Sequence, residues 1–182
     1  AGLLTPDDGT VLIDKLPVGV STKAVTSYLP DRMALPTEFT AADAVSLYTD
    51  FFADFDRTKA NAMLADLHLN QHDRIGAMSK GTQEKMQLCL TMSRAAKLYL
   101  LDEPLGGVDP AAREYILNTI LHNYSEDAAL VLSTHLIGDI EKVLDEVIFL
   151  KDGSVMRQVG VDELREETGT SVDAYFREAY KC

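Results

Sequence analysis

The chain has 182 residues, 46% of them apolar, and a formal net charge of −12. This length fits one domain, or a domain with a subdomain, and the apolar content is enough for a sizeable core. The acidity argues against binding to nucleic acid and against adhesion to an anionic membrane surface. Because no apolar run is long enough to span a bilayer, we expect membrane contact only through a partner.

Two short strands are predicted near the start of the chain. Thr10 to Ile13 follows a turn of two aspartates and a glycine, and Val25 to Leu29 is a second apolar run that leads to Asp31. The 182 residues contain no G-x-x-x-x-G-K-[ST] pattern, the mark of a phosphate-binding loop. The sequence is therefore expected to lack that loop.

Residues 35–96 are predicted to be helical. Thr40 and Asp43 form a capping-box pattern, and Asp56 is placed to cap a second helix. Ser79 is a predicted N-cap before the helical run Glu84 to Ala96, and Gly81 lets a ligand approach the backbone. A capped helix start with a nearby glycine favours an anion site, because unpaired N–H groups and the helix dipole point to the same place.

A strand buried on both faces of a parallel sheet is predicted at Leu98 to Leu101, and Asp102 and Glu103 end it. Adjacent acids at the carboxyl end of a parallel strand fit a hydrated Mg²⁺ and a base that activates water. Taken alone, this pair is also compatible with an ordinary polar strand end.

The remaining chain alternates turns, strands and helices. Gly106, Gly107 and Asp109 form a turn before a helix that opens at Pro110, and a further strand ends just before His135. The C-terminal part predicts a hairpin at Asp145 to Val159 and two short acidic helices after it.

Four motifs in this order resemble those of the nucleotide-binding domain of ATP-binding cassette (ABC) proteins. MSKGT resembles the signature motif, and LYLLDEP resembles the Walker B strand. GGVD resembles the D-loop, and STH resembles the segment with the switch histidine. The resemblance implies an α/β fold of the P-loop NTPase (RecA-like) class, with a mostly parallel sheet and an inserted α-helical subdomain. It divides one partial domain, residues 1–182, into a catalytic core of residues 1–34 and 97–182 and a helical subdomain of residues 35–96. The family's first strands and phosphate loop are expected to be missing from these residues.

The resemblance also implies residue roles around ATP and Mg²⁺. Asp102 would hold Mg²⁺ through water, Glu103 would act as general base, and His135 would contact the γ-phosphate. Asp31 matches the family's Q-loop glutamine and is a second candidate Mg²⁺ ligand, with a solvated turn acid as the alternative.

A second set of residues is expected to serve a nucleotide held by another copy. Ser79, Lys80 and Gly81 would close over that ATP, and Asp109 would reach across the dimer interface. Lys80 replaces the first glycine of the common signature form, and a solvated lysine is the alternative reading.

The function implied by the resemblance is the ATP-hydrolysing subunit of a bacterial ABC transporter, most simply an exporter. It would act at the cytoplasmic face of the cell membrane with a separate transmembrane permease and a second nucleotide-binding domain, identical or different. The alternatives are a soluble ABC ATPase without a transport role and a truncated, non-catalytic cassette that acts as a binding partner. Without a phosphate loop, the 182 residues alone are expected neither to bind MgATP in the micromolar range nor to hydrolyse it.

Overall fold

The computed structural model describes residues 1–125 and 127–181. The chain forms two compact units, Ala1–Thr134 and His135–Cys182. The division into a core of residues 1–34 and 97–182 and a helical subdomain of residues 35–96 stays a prediction.

The first unit begins with small elements and continues into a strand. A hairpin of β1 (Leu12–Ile13) and β2 (Leu16–Pro17) precedes helix α1 (Val20–Ala24) and strand β3 (Thr26–Leu29). The two predicted strands are therefore present, although the first is shorter than expected.

Three longer helices follow, and a capping side chain lies directly before each: α2 (Ala41–Phe51), α3 (Arg57–Asp66) and α4 (Lys80–Met92). At α2 the predicted capping box is confirmed, because Thr40 Oγ1 accepts from the Asp43 N–H at 3.1 Å and Asp43 Oδ2 accepts from the Thr40 N–H at 2.9 Å. At α3 the Asp56 carboxylate accepts from the Lys59 N–H at 2.9 Å, which confirms the second predicted cap.

The sheet of the first unit consists of β3, β4 (Leu98–Asp102) and β5 (Ala129–Ser133), in the order β3-β4-β5. Helix α5 (Pro110–Asn123) connects β4 to β5. Both strand pairs are parallel, as predicted, and Asp102 lies opposite Ser133. The carboxyl ends of all three strands therefore meet at one edge of the sheet.

The burial of β4 differs from the sequence prediction. Tyr99 and Leu101 are buried, whereas Leu98 and Leu100 are only half-buried, so the prediction of a strand buried on both faces is wrong. Helix α4 covers the buried face of the sheet. Ser27 Oγ of β3 donates a hydrogen bond to the Thr91 carbonyl of α4 at 2.8 Å. On the other face Val131 of β5 exposes 53% of its surface.

Arg94 joins the helical segment to the sheet. Its guanidinium donates to both carboxylate oxygens of Asp54, at 2.9 and 3.1 Å, and to the carbonyls of Thr26 and Ala24, at 2.6 and 2.7 Å. The residue is 3% exposed. A bidentate, partly buried pair of this kind, together with the two carbonyl contacts, ties the end of α4 to the start of β3.

The second unit contains α6 (Ile137–Ile140), β6 (Glu146–Lys151), β7 (Ser154–Gly160), α7 (Val161–Thr168) and α8 (Val172–Ala179). Strands β6 and β7 form the predicted antiparallel hairpin, and both predicted C-terminal helices are present. Its buried core is formed by Ile137, Phe149, Val159, Val161, Leu164 and Val172. No helix within residues 1–125 and 127–181 combines the length and the apolar character that a bilayer crossing requires.

Candidate functional site

Two consecutive carboxylates meet two consecutive hydroxyls at the carboxyl edge of the sheet. Ser133 Oγ donates to Asp102 Oδ1 at 2.6 Å, and Thr134 Oγ1 donates to Glu103 Oε2 at 3.0 Å. The match follows from the parallel register, because Asp102 of β4 lies opposite Ser133 of β5. The structure thus brings the predicted acidic pair together with two side chains to which the sequence had assigned no role.

The backbone at Glu103 is held in the left-handed region, with φ +47°. Its N–H donates to the Ser133 carbonyl at 2.9 Å, and its own carbonyl accepts from the Gly106 N–H at 2.9 Å. A Cβ at Gly106 would lie 3.1 Å from the Glu103 carbonyl oxygen, so this tight turn favours glycine. A non-glycine residue in this conformation costs about 1–2 kcal/mol, and such strain is concentrated at functional sites.

Asp31 lies just beyond β3, near the same edge of the sheet, and its side chain is exposed. Burial raises the pKa of the Tyr28 phenol above its usual value, and the negative charges of Asp102 and Asp31 raise it further. Both carboxylates therefore act on one hydroxyl of β3, which indicates that they share a neighbourhood. Asp31 also lines a cavity of about 330 Å³ together with Lys80, Gln83 and Glu84.

The donor set at this edge fits a hydrated divalent cation. Within the described ranges, no group of three or more His, Cys, Asp and Glu side chains is arranged to hold a metal ion. Mg²⁺ keeps several waters and takes only one or two carboxylates from a protein, so it does not need such a group. Asp102, bonded to the Ser133 hydroxyl, provides a carboxylate of this kind.

The N-terminus of α4 presents a second set of predicted residues. Ser79 caps the helix, because its Oγ accepts from the Thr82 N–H at 3.2 Å and lies 2.7 Å from Thr82 Oγ1. The helix therefore begins at Lys80. The apolar pattern had predicted that the helical run begins four residues later, at Glu84. A Cβ added at Gly81 would meet nothing within 4 Å, so the surface beside it is open.

Lys80 points into solvent and pairs with a neighbour on its own helix. Its side chain is 75% exposed, and Nζ lies 3.5 Å from Glu84 Oε1, one helical turn further on. An exposed pair of this geometry contributes about 0.3–0.5 kcal/mol. The structure therefore accounts for Lys80 as a solvated lysine, and its predicted role at a nucleotide stays a prediction.

Glu84 lies against the turn that precedes α5. Gly107 has φ +71°, and a Cβ there would lie 2.8 Å from Glu84 Oε1 and 3.1 Å from Oε2. Glu84 Oε2 is buried without a hydrogen-bond partner, and burial raises the pKa of this carboxyl, an effect that Lys80 partly offsets. This contact joins α4 to the turn, and the sequence did not predict it because the two residues lie far apart in the chain.

Asp109 ends the same turn. Its Oδ1 accepts from the Ala111 N–H at 2.9 Å, so its carboxylate caps α5. Its predicted contact across a dimer interface stays a prediction. The same holds for the role of His135, the first residue of the second unit.

A family model described as "ABC transporter" matches residues 1–106, more than half of the chain. The chain belongs to the ABC transporter family. The matched residues include β4, Asp102 and Glu103, and the N-terminal part of α4, so the carboxylates and the helix cap described above lie inside the family match.

Two curated relatives and one solved structure show the extent of this similarity. The ABC chain is 26% identical over 168 residues to the ABC transporter ATP-binding protein YtrB of Bacillus subtilis (strain 168), covering 91% of this chain and 58% of YtrB. It is 27% identical over 173 residues to the SkfA peptide export ATP-binding protein SkfE of the same organism, covering 91% of this chain and 72% of SkfE. The fold matches a solved ATP-binding subunit of an ABC transporter with a TM-score of 0.88 at 24% identity, over 99% of this chain and 80% of that one. The P-loop NTPase fold class predicted from the motifs is confirmed.

Proposed function

We propose that this ABC family member binds and hydrolyses ATP with Mg²⁺ as the energy-supplying part of a transporter. Transport itself would take place through a separate transmembrane permease. The proposal rests above all on the ordered carboxylate edge, where Asp102 and Glu103 face the hydroxyls of Ser133 and Thr134.

In this proposal the two carboxylates have different tasks. Asp102, fixed by Ser133, would hold Mg²⁺, with Asp31 as a second acidic group near the same edge. A bound Mg²⁺ would neutralise phosphate charge. Glu103 orients the attacking water and accepts its proton, while His135 orients the same water at the γ-phosphate.

A second half-site faces a nucleotide held by another nucleotide-binding domain. Ser79, Lys80 and Gly81 lie at the N-terminus of the 13-residue helix α4, where backbone N–H groups and the helix dipole favour a phosphate. The open space beside Gly81 gives such a ligand room to approach the backbone. Asp109 belongs to the same half-site through the contact of Glu84 with its turn.

The names of the relatives support the proposed partners and location. YtrB and SkfE are named as ATP-binding proteins, of a transporter and of peptide export respectively. We therefore place the chain at the cytoplasmic face of a bacterial membrane, bound to a permease and paired with a second nucleotide-binding domain. The chain spans 58% of the length of YtrB. We therefore propose the activity for the whole protein that its host produces and not for these 182 residues alone.

The general-base role is tested by Glu103→Gln in the protein as its host makes it. The amide keeps the shape of the side chain but accepts no proton, so ATP turnover should fall by about 10²- to 10⁴-fold while ATP affinity is retained. Glu163→Gln, an exposed carboxylate of α7, is the matched control and should leave turnover unchanged. Equal turnover in Glu103→Gln and the parent protein would contradict the proposed role.

A further inference from the structure

The geometry points to Thr134 as a positioning residue for Glu103 in ATP hydrolysis. This inference rests on the proposed function, because it concerns how the general base is oriented. Its starting point is the hydrogen bond of 3.0 Å from Thr134 Oγ1 to Glu103 Oε2, between residues 31 positions apart in the chain.

The backbone fixes where the Glu103 side chain starts. Its N–H is bonded to the Ser133 carbonyl of β5, and its carbonyl is bonded to the Gly106 N–H. With φ +47°, Glu103 has left the extended path of β4. Its Cα–Cβ bond is therefore set by the same β4–β5 edge that carries Thr134.

The Glu103 side chain still rotates about three bonds, from Cα–Cβ to Cγ–Cδ. Without a fixed partner, a glutamate samples several rotamers, and only a fraction of them would place a carboxylate oxygen beside an attacking water. A hydrogen bond to Oε2 selects among those rotamers and fixes the plane of the carboxylate. Thr134 is half-buried, and its β-branched side chain has few rotamers of its own, so it is a rigid donor.

The neighbouring pair shows that this contact follows from the strand register. Ser133 donates to Asp102 at 2.6 Å, one residue earlier on both strands. Two successive residues at the carboxyl end of β5 thus hold two successive carboxylates at the carboxyl end of β4. We expect Ser133 to act on the cation-binding carboxylate and Thr134 to act on the proton acceptor.

The decisive variant is Thr134→Val, which removes the hydroxyl and keeps the side-chain shape. Since a hydrogen bond to a charged group is lost, kcat for ATP hydrolysis should fall by about 10- to 100-fold, with KM for ATP changed by less than about twofold. Thr134→Ser keeps the donor and should recover most of the lost kcat. Thr119→Val, which removes an exposed helix-surface hydroxyl, is the control for loss of a threonine donor elsewhere and should leave kcat unchanged.

A double variant separates positioning from general structural damage. In a Glu103→Gln background, Thr134→Val should lower the residual rate by less than about twofold, because Thr134 acts through the Glu103 carboxylate. An equal fall in both backgrounds would overturn the inference. An unchanged or increased kcat in Thr134→Val, with Glu103→Gln inactive, would overturn it and leave the proposed function intact. Unchanged turnover in Glu103→Gln would overturn both.

Discussion

Gly81 is the residue at which folding and function make the most clearly different demands. Apart from its chain neighbours and the adjacent helix backbone, no described atom lies within 4 Å of a Cβ placed there, and Gly81 is the second residue of α4. The fold therefore has no steric need for glycine at this position. A ligand that approaches the backbone would require glycine there.

Gly81→Ala should leave the free energy of unfolding unchanged or raise it by up to about 1 kcal/mol, since alanine is the better helix former. ATP turnover should nevertheless fall by about tenfold or more, because the added methyl group displaces the nucleotide. Urea unfolding and a steady-state ATPase assay measure the two effects. Gly138→Ala, at a helical glycine with ordinary van der Waals room, should leave turnover unchanged. Full turnover in Gly81→Ala would argue against a ligand at this helix start.

Local sequence signals predicted the residues that act on their own helix. Thr40, Asp43, Asp56 and Ser79 are caps, and capping depends on residues only three positions apart. Thr134 and Glu84 were missed, because their partners lie on other elements. Only the parallel register of β4 and β5 brings Thr134 to Glu103.

At the scale of elements, the contact of Glu84 with the turn before α5 couples the two motifs expected to face a second copy. Gly107 has φ +71°, and the Glu84 carboxylate occupies the space that a side chain would need. Helix α4, which Ser79 caps, and the turn that ends at Asp109 should therefore move together.

Gly107→Ala should destabilise the protein through two separate effects. The left-handed backbone costs alanine about 1–2 kcal/mol, and displacement of Glu84 should add about 1 kcal/mol more. Gly153→Ala is the matched control, because its φ is +75° and nothing lies within 4 Å of the added methyl group. The quantity to measure is the difference in free energy of unfolding between the two variants.

In a Glu84→Ala background the difference between Gly107→Ala and Gly153→Ala should disappear, because the shorter side chain no longer occupies the space beside Gly107. If Gly107→Ala and Gly153→Ala are equally destabilised, or if the difference survives in a Glu84→Ala background, the contact does not contribute to stability. A double-mutant cycle of Gly107 and Glu84 gives the coupling energy directly.

The elements themselves were largely predictable, and their burial was not. Short apolar runs bounded by turn residues located β3, β4 and β5, and the hairpin of β6 and β7 followed from its turn at Gly153. The run Leu98 to Leu101 of β4 is apolar, which predicted burial on both faces. The structure covers one face with α4 and leaves Leu98 and Leu100 half-buried, a difference set by packing between distant elements.

At the scale of the whole molecule, the chain carries parts of two half-sites. In the proposed function, the carboxylates at the end of β4 serve hydrolysis, whereas the start of α4 and the Asp109 turn serve a nucleotide on a second copy. In a head-to-tail dimer, each complete site therefore combines Glu103 of one copy with Ser79 of the other.

Mixing two inactive variants tests this arrangement most directly. Ser79→Arg blocks one half-site, and Glu103→Gln inactivates the other, so neither protein alone should hydrolyse ATP at a useful rate. A mixed dimer contains one site with both defects and one site with neither, so an equimolar mixture should recover about a quarter of the parent turnover. A mixture no more active than its two components would contradict the claim that Ser79 and Glu103 act on one nucleotide from different copies.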